Sequence, residues 1–93
     1  MRFAFLIMGA FDARRDRAEI HGGTARIIGV SDLEEACAAA RELCGVGIDC
    51  RELCGAFGEQ GVRAVIEATE GRLPVGYVVH LPEQDGLFDA LFG

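Results

Sequence analysis

Three short apolar runs, TARIIGV (24–30), IDCRELC (48–54) and VGYVVHL (75–81), are separated by two stretches of helical period. No other feature narrows the fold as much. Strand–helix–strand–helix–strand order implies right-handed crossovers, and these make parallel strands. The three strands are expected to neighbour one another, with the helices packed on them. A further run, RFAFLIM at 2–8, is apolar at both alternating positions after Arg2, as in a strand covered on both faces. The expected fold is α/β. It is a single small domain over 1–93 with about four mostly parallel strands and two main helices, in β-β-α-β-α-β order, and a short C-terminal helical tail. Residues 10–23 are polar and aperiodic. They fit either a short helical turn or a strand at 17–21 entering a Gly22-Gly23 hairpin.

The first helix has the clearest signals. Ser31 and Glu34 have the spacing of a capping box. Leu33, Ala36, Cys37, Ala40, Leu43 and Cys44 follow at helical spacing, and Gly45 suits a left-handed C-terminal cap. Cys37 and Cys44 fall on the apolar stripe and read as small core residues. The second helix, roughly 59–70, carries Val62, Val65, Ile66 and Thr69 on one face. Gly71 is its stop, and Glu59 and Arg63 form an i,i+4 pair.

Composition removes several chemistries. The net charge of −6 opposes binding to nucleic acid or an anionic membrane. Arg14, Arg15 and Arg17 cluster, but Asp12, Asp16 and Glu19 are interleaved with them and suggest internal ion pairs. Without lysine there is no Schiff-base or P-loop chemistry. Ser31 is the only serine, which leaves cysteine as the foremost candidate nucleophile. Cys37 and Cys44 lie about 10 Å apart along a helix, and Cys50 and Cys54 about 13 Å apart along a strand. Neither pair closes a disulfide within the ~7 Å limit between Cα atoms. With the N-terminal run read as a strand rather than a secretory signal, the cysteines are expected to be reduced and the protein cytoplasmic.

The candidate site is ELCGAFGEQG, 52–61. Ligands of parallel sheets gather where strands lead into helix N-termini. Gly55, Phe57, Gly58 and Gly61 are the ligand-binding candidates. The glycines let backbone approach a ligand, and the first helical amides point outward, which suits an anion. Glu59 opposes this, because its carboxylate sits where the anion would. Alternation places Ile48, Cys50, Glu52 and Cys54 on one strand face, where a carboxylate requires a partner or a cleft. Arg26 and Arg72 are available as partners. The next strand ends in His80, so Glu52, Cys54 and His80 converge on one sheet edge. They are the candidate catalytic group: thiol, base and orienting carboxylate. A zinc site is disfavoured, since Cys50 and Cys54 lie on a strand without the usual loop, and no cofactor is implied. His21 reads as a solvated turn residue.

The run 47–78 resembles a family of small prokaryotic proteins of unknown function, with the signature Glu-Leu-Cys-Gly-x-Phe-Gly. Glu52, Leu53, Cys54, Gly55, Phe57 and Gly58 match it. Pro74, Val75 and Gly76 match a Pro-Val-Gly after the second helix, and Glu35-Ala36 fits the first helix. Two departures stand out: Arg51 occupies a position that tends to be aliphatic, and the tail PEQDGLFDALFG differs from many. The resemblance supplies no activity. It draws attention to Glu52, Cys54 and Gly55.

The first expectation is therefore a cytoplasmic domain binding a small anionic metabolite at 52–61. The second is a non-catalytic homo-oligomeric assembly protein. Leu87, Phe88, Leu91 and Phe92 form one apolar face of a terminal helix, a stripe that a small sheet leaves exposed until a partner covers it. The third is a thiol redox or metal-binding protein using Cys50 and Cys54.

Overall fold

The computed structural model describes residues 1–92. Five strands form one sheet: β1 (Phe3–Met8), β2 (Arg17–Ile20), β3 (Ala25–Val30), β4 (Cys50–Leu53) and β5 (Val75–Tyr77). The helices are α1 (Leu33–Cys44), α2 (Gly58–Ala68) and α3 (Asp85–Phe92). The strand order is β2-β3-β1-β4-β5. β1 pairs in parallel with β3 and β4, β4 with β5, and β2 runs antiparallel to β3.

The α/β class, the helical tail and the predominantly parallel sheet are as expected. The strand count rises to five because the hairpin alternative for 17–21 is the one adopted. A 3-10 turn, His21–Gly23, joins β2 to β3. Its three residues all have positive φ, which the two glycines make possible. The expected neighbours β3 and β4 do not pair. β1 lies between them, so the first crossover spans a strand.

Both crossovers step the same way across the sheet. The right-handed rule then puts α1 and α2 on one face, and they share a single core. Ala4, Leu6, Ile28, Val30 and Leu53 point into it from the sheet. Ala36, Ala39, Ala40 and Leu43 meet them from α1, and Val62 and Val65 from α2. Alanines on α1 allow a close helix–sheet approach. Among the described residues no helix packs on the other face of the sheet. The expectation that β1 is covered on both sides therefore fails: Ala4 and Leu6 are buried, while Phe3, Phe5 and Ile7 are only half-buried.

The cap of α1 is one residue later than the sequence suggests. Asp32, not Ser31, is the N-cap, and its Oδ1 accepts the Glu35 N–H at 2.8 Å. Glu35 Oε1 in turn accepts the Ser31 N–H at 3.1 Å and the Ala13 N–H at 3.0 Å, tying the loop after β1 to the helix. Gly45 is right-handed, with φ −79°, and the left-handed turn comes at Gly47. Gly71 does stop α2: its N–H donates to the Ile66 carbonyl at 3.0 Å.

Arg51 is the one costly residue of the core. It faces α1 and is 0% exposed. Nη2 donates to the Ala40 carbonyl at 2.8 Å and to Cys44 Sγ at 2.7 Å, while Nε and Nη1 have no partner. A buried charge with three of its five N–H donors unmet is destabilising. This is the position where the resemblance expects an aliphatic side chain. Arg51→Met should leave stability unchanged or raise it by about 1–2 kcal/mol, read as the urea midpoint. A clear fall would show that the bonds to Ala40 and Cys44 outweigh the unmet donors.

Candidate functional site

The 52–61 stretch is a strand-to-helix turn, as expected. After β4, Gly55–Phe57 makes one 3-10 turn and Gly58 joins it to α2. Gly58 has φ 62° and ψ −178°, a combination open essentially to glycine alone. No side chain caps the start of α2, and Glu59 lies in its first turn. Phe57 is buried and belongs to the core. Gly61 packs on it so closely that a Cβ there would meet Phe57 Cβ at 2.9 Å. Phe57 and Gly61 thus have packing roles, and Gly55 and Gly58 shape the backbone.

The candidate catalytic side chains each have separate surroundings. Glu52 lies on the helix-free face. It crosses over β5 above Gly76, where a Cβ would meet its Oε2 at 2.6 Å. Only glycine leaves room for the carboxylate there. Among the described residues Glu52 has no hydrogen bond or ion pair: Arg26 pairs with Glu19 at 3.8 Å and Arg72 with Glu70 at 4.0 Å. Cys54 turns to the core side, and its Sγ accepts the Met8 N–H at 3.3 Å. Ile48 is also buried in the core. The alternating row Ile48–Cys50–Glu52–Cys54 therefore breaks at both ends, because the regular strand is only Cys50–Leu53.

His80 lies beyond the strand. β5 ends at Tyr77, and the Val78 N–H makes a last bond to the Leu53 carbonyl at 2.9 Å. The imidazole faces the tail instead. His80 Nε2 donates to Asp85 Oδ1 at 2.7 Å, and its ring stacks on Phe88 with centroids 4.0 Å apart. The polar contacts of Cys54 and His80 are thus with Met8 and Asp85, and among the described residues no hydrogen bond joins Glu52, Cys54 and His80.

All four cysteines are free and partly buried. Among the described residues no three His, Cys, Asp or Glu side chains group to hold a metal ion. No helix among them is long and apolar enough to cross a membrane. The arginine cluster forms ion pairs in part: Arg15 with Asp12 at 3.5 Å and Arg17 with Glu42 at 3.0 Å. Arg63 and Glu59 pair at 3.7 Å along α2.

The feature that strand-by-strand reading missed is the bare sheet face. Register places Ala18, Ile27, Phe5, Glu52 and Gly76 in one row across all five strands. Ile20, Ala25, Phe3 and Cys50 form the next. Over β2, β3 and β1 the surface sinks into an open depression of about 240 Å³, lined by Phe3, Phe5, Ala18, Ile20, Ala25 and Ile27 together with Glu19 and Arg26. A second, of about 360 Å³, lies beside it around Ile7, Phe11 and Gly29. The 52–61 turn lines neither. The only sequence signal for this face was the two-sided apolarity of β1, which suggests covering by something outside α1 and α2.

The chain belongs to a family of unknown function, DUF6506, whose model matches residues 1–93. No curated protein and no solved structure matches it. Membership thus agrees with the resemblance to an unknown-function family and adds no role for any residue.

Gly58 offers a direct check on the turn. Nothing lies within 4 Å of a Cβ built there, so a substitution acts through backbone strain alone. Gly58→Ala should cost about 1–3 kcal/mol, read as a lower urea midpoint. An unchanged midpoint would mean the turn relaxes freely into another conformation.

Proposed function

We propose that this chain is a self-associating α/β domain whose helix-free sheet face is the surface through which copies meet. One observation carries this reading. The face that a helix layer would cover in a doubly wound fold is apolar and open, with Ile20 69% and Ile27 41% exposed beside Phe3 and Phe5. Contiguous apolar surface of this kind on a small domain marks an interaction site. Its chemistry selects its partner: aromatic and branched side chains with few polar groups suit another apolar surface. Glu52 bounds the patch on the β4 side, so the contact centres on β1, β3 and β2.

A small-anion site at 52–61 is a second reading. Its observation is the start of α2, whose first amides have no side-chain cap and follow a glycine held at positive φ. Backbone donors in that arrangement suit a phosphate or carboxylate, with Glu59 setting a limit on affinity. Any turnover there would use Glu52 or Cys54 after rearrangement of the surroundings described above.

The two readings separate by experiment. Sedimentation of the native protein at micromolar concentration should show a dimer or larger species, and a clean monomer would end the assembly reading. Thermal denaturation with inorganic phosphate and small carboxylates tests the second. A ligand at a hundred times its dissociation constant adds about 2.7 kcal/mol of stability. No shift at millimolar levels would end the anion reading.

A further inference from the structure

The domain leaves two apolar surfaces uncovered, and they have complementary forms. One is the depression over β2, β3 and β1. The other is α3, which buries none of its residues. Leu87, Phe88, Leu91 and Phe92 point to one side of it, with Leu91 75% and Phe92 77% exposed. We infer that α3 of one copy lies in the β1–β3–β2 depression of a second copy, and reciprocally. This rests on the self-association reading and names the contact that makes it.

Helix stability supplies the first argument. Isolated helices shorter than about 12–15 residues are marginal in water. α3 has 8 residues and no buried side chain. Within its own chain it is held chiefly at its first turns, by the His80–Asp85 bond and the His80–Phe88 stack. A helix this short requires an apolar surface against its stripe, and Phe88, Leu91 and Phe92 stand at i, i+3 and i+4, the anchor spacing with which amphipathic helices seat in grooves.

Position supplies the second. The tail leaves from β5, at one edge of the sheet, and the depression lies toward β2, at the other. To fill it within one chain, α3 would have to cross the row holding the unpaired Glu52 and break the contacts of His80. A second copy brings α3 in without either cost. His80 then acts as a bracket that projects the helix outward.

Area supplies the third. A stable interface requires roughly 1,000 Å² or more in total. An aromatic side chain offers about 150–250 Å², so the exposed parts of Phe88 and Phe92 contribute on the order of 200 Å² per tail. Two tails and the surface each covers bring this to about 800 Å². Leu87 and Leu91 carry it past the threshold. A twofold arrangement uses both copies of each surface and closes, leaving no free end for a polymer.

Complementation between full-length variants tests the contact. Leu91→Asp with Phe92→Asp alters the tail, and Ile20→Lys with Ile27→Lys alters the face. All four positions are exposed in the single chain, so each variant should retain native far-ultraviolet circular dichroism. Sedimentation of each variant alone should show dissociation constants raised by about tenfold or more. A one-to-one mixture should recover dimers, because one native contact and one Asp–Lys contact form in the mixed pair. If the tail variant dimerises like the native chain, copies meet through their faces without α3, and the inference fails while the assembly reading stands. Variants that are each monomeric and stay so when mixed overturn it too. A monomeric native protein overturns both. Should the aspartates unfold the chain, Leu91→Ala with Phe92→Ala serves as the tail variant, with the same weakening alone and recovery on mixing expected.

Discussion

Two right-handed crossovers that step in the same direction determine most of what is distinctive in this molecule. The path from β3 to β4 passes over β1, and the path from β4 to β5 continues the same way. Handedness then permits only one side for both helices. A doubly wound sheet reverses direction at some point and so gains a helix layer on each face. Here the chain does reverse at β1, but the first leg, from β1 to β3, carries β2 and no α-helix, so the two helix-bearing crossovers keep one direction and one face. The parallel strands are built as two layers, and their second face is left to side chains suited to burial.

Glu52 and Gly76 show that this second face is not uniform. The row Ala18–Ile27–Phe5 is apolar across three strands, and the next residue in it is a half-buried carboxylate. A charge inside an otherwise apolar sheet face limits how far a partner can extend without desolvating it. Gly76 lets that carboxylate lie flat over β5 rather than stand above the sheet. Glu52, one of the three candidate catalytic side chains, thus stands with Gly76 beside the apolar row. β2, at the far edge, alternates Arg17 and Glu19 with Ala18 and Ile20, and its charges discourage continuation of the sheet edge to edge.

Local chemistry was legible in the sequence, and relative placement was not. The α1 stripe, the α2 face apart from the exposed Ile66, and the stop at Gly71 follow from spacing within ten or so residues, where periodicity carries the information. The shift of the cap from Ser31 to Asp32 is of the same local kind: Ser31-x-x-Glu34 and Asp32-x-x-Glu35 both have the right spacing, and Glu35 also had to hold the Ala13 N–H. Insertion of β1 between β3 and β4 depends on pairings over 20 residues apart, for which no local signal exists. The proposed grouping of Glu52, Cys54 and His80 rested on two assumptions of that sort, an unbroken alternation through Cys54 and a strand reaching His80. The regular strands end at Leu53 and Tyr77, and each end turns a side chain elsewhere.

Size connects the bare face to the tail. A chain of 93 residues buries a smaller fraction of its surface than a larger domain does, and this one places its entire core on one side of the sheet. That core draws on five alanines, Ala4, Ala13, Ala36, Ala39 and Ala40, which bring helix and sheet close but bury little apolar area each. It also accommodates a guanidinium with two unpartnered nitrogens. Meanwhile two of the six phenylalanines lie on α3, where the isolated chain leaves Phe92 77% and Phe88 39% exposed, and two more stand half-buried on the open face of β1. The largest apolar side chains are thus spent where a single copy gains least from them. In the proposed association that burial is completed between molecules, and a second copy contributes the third layer of the sandwich.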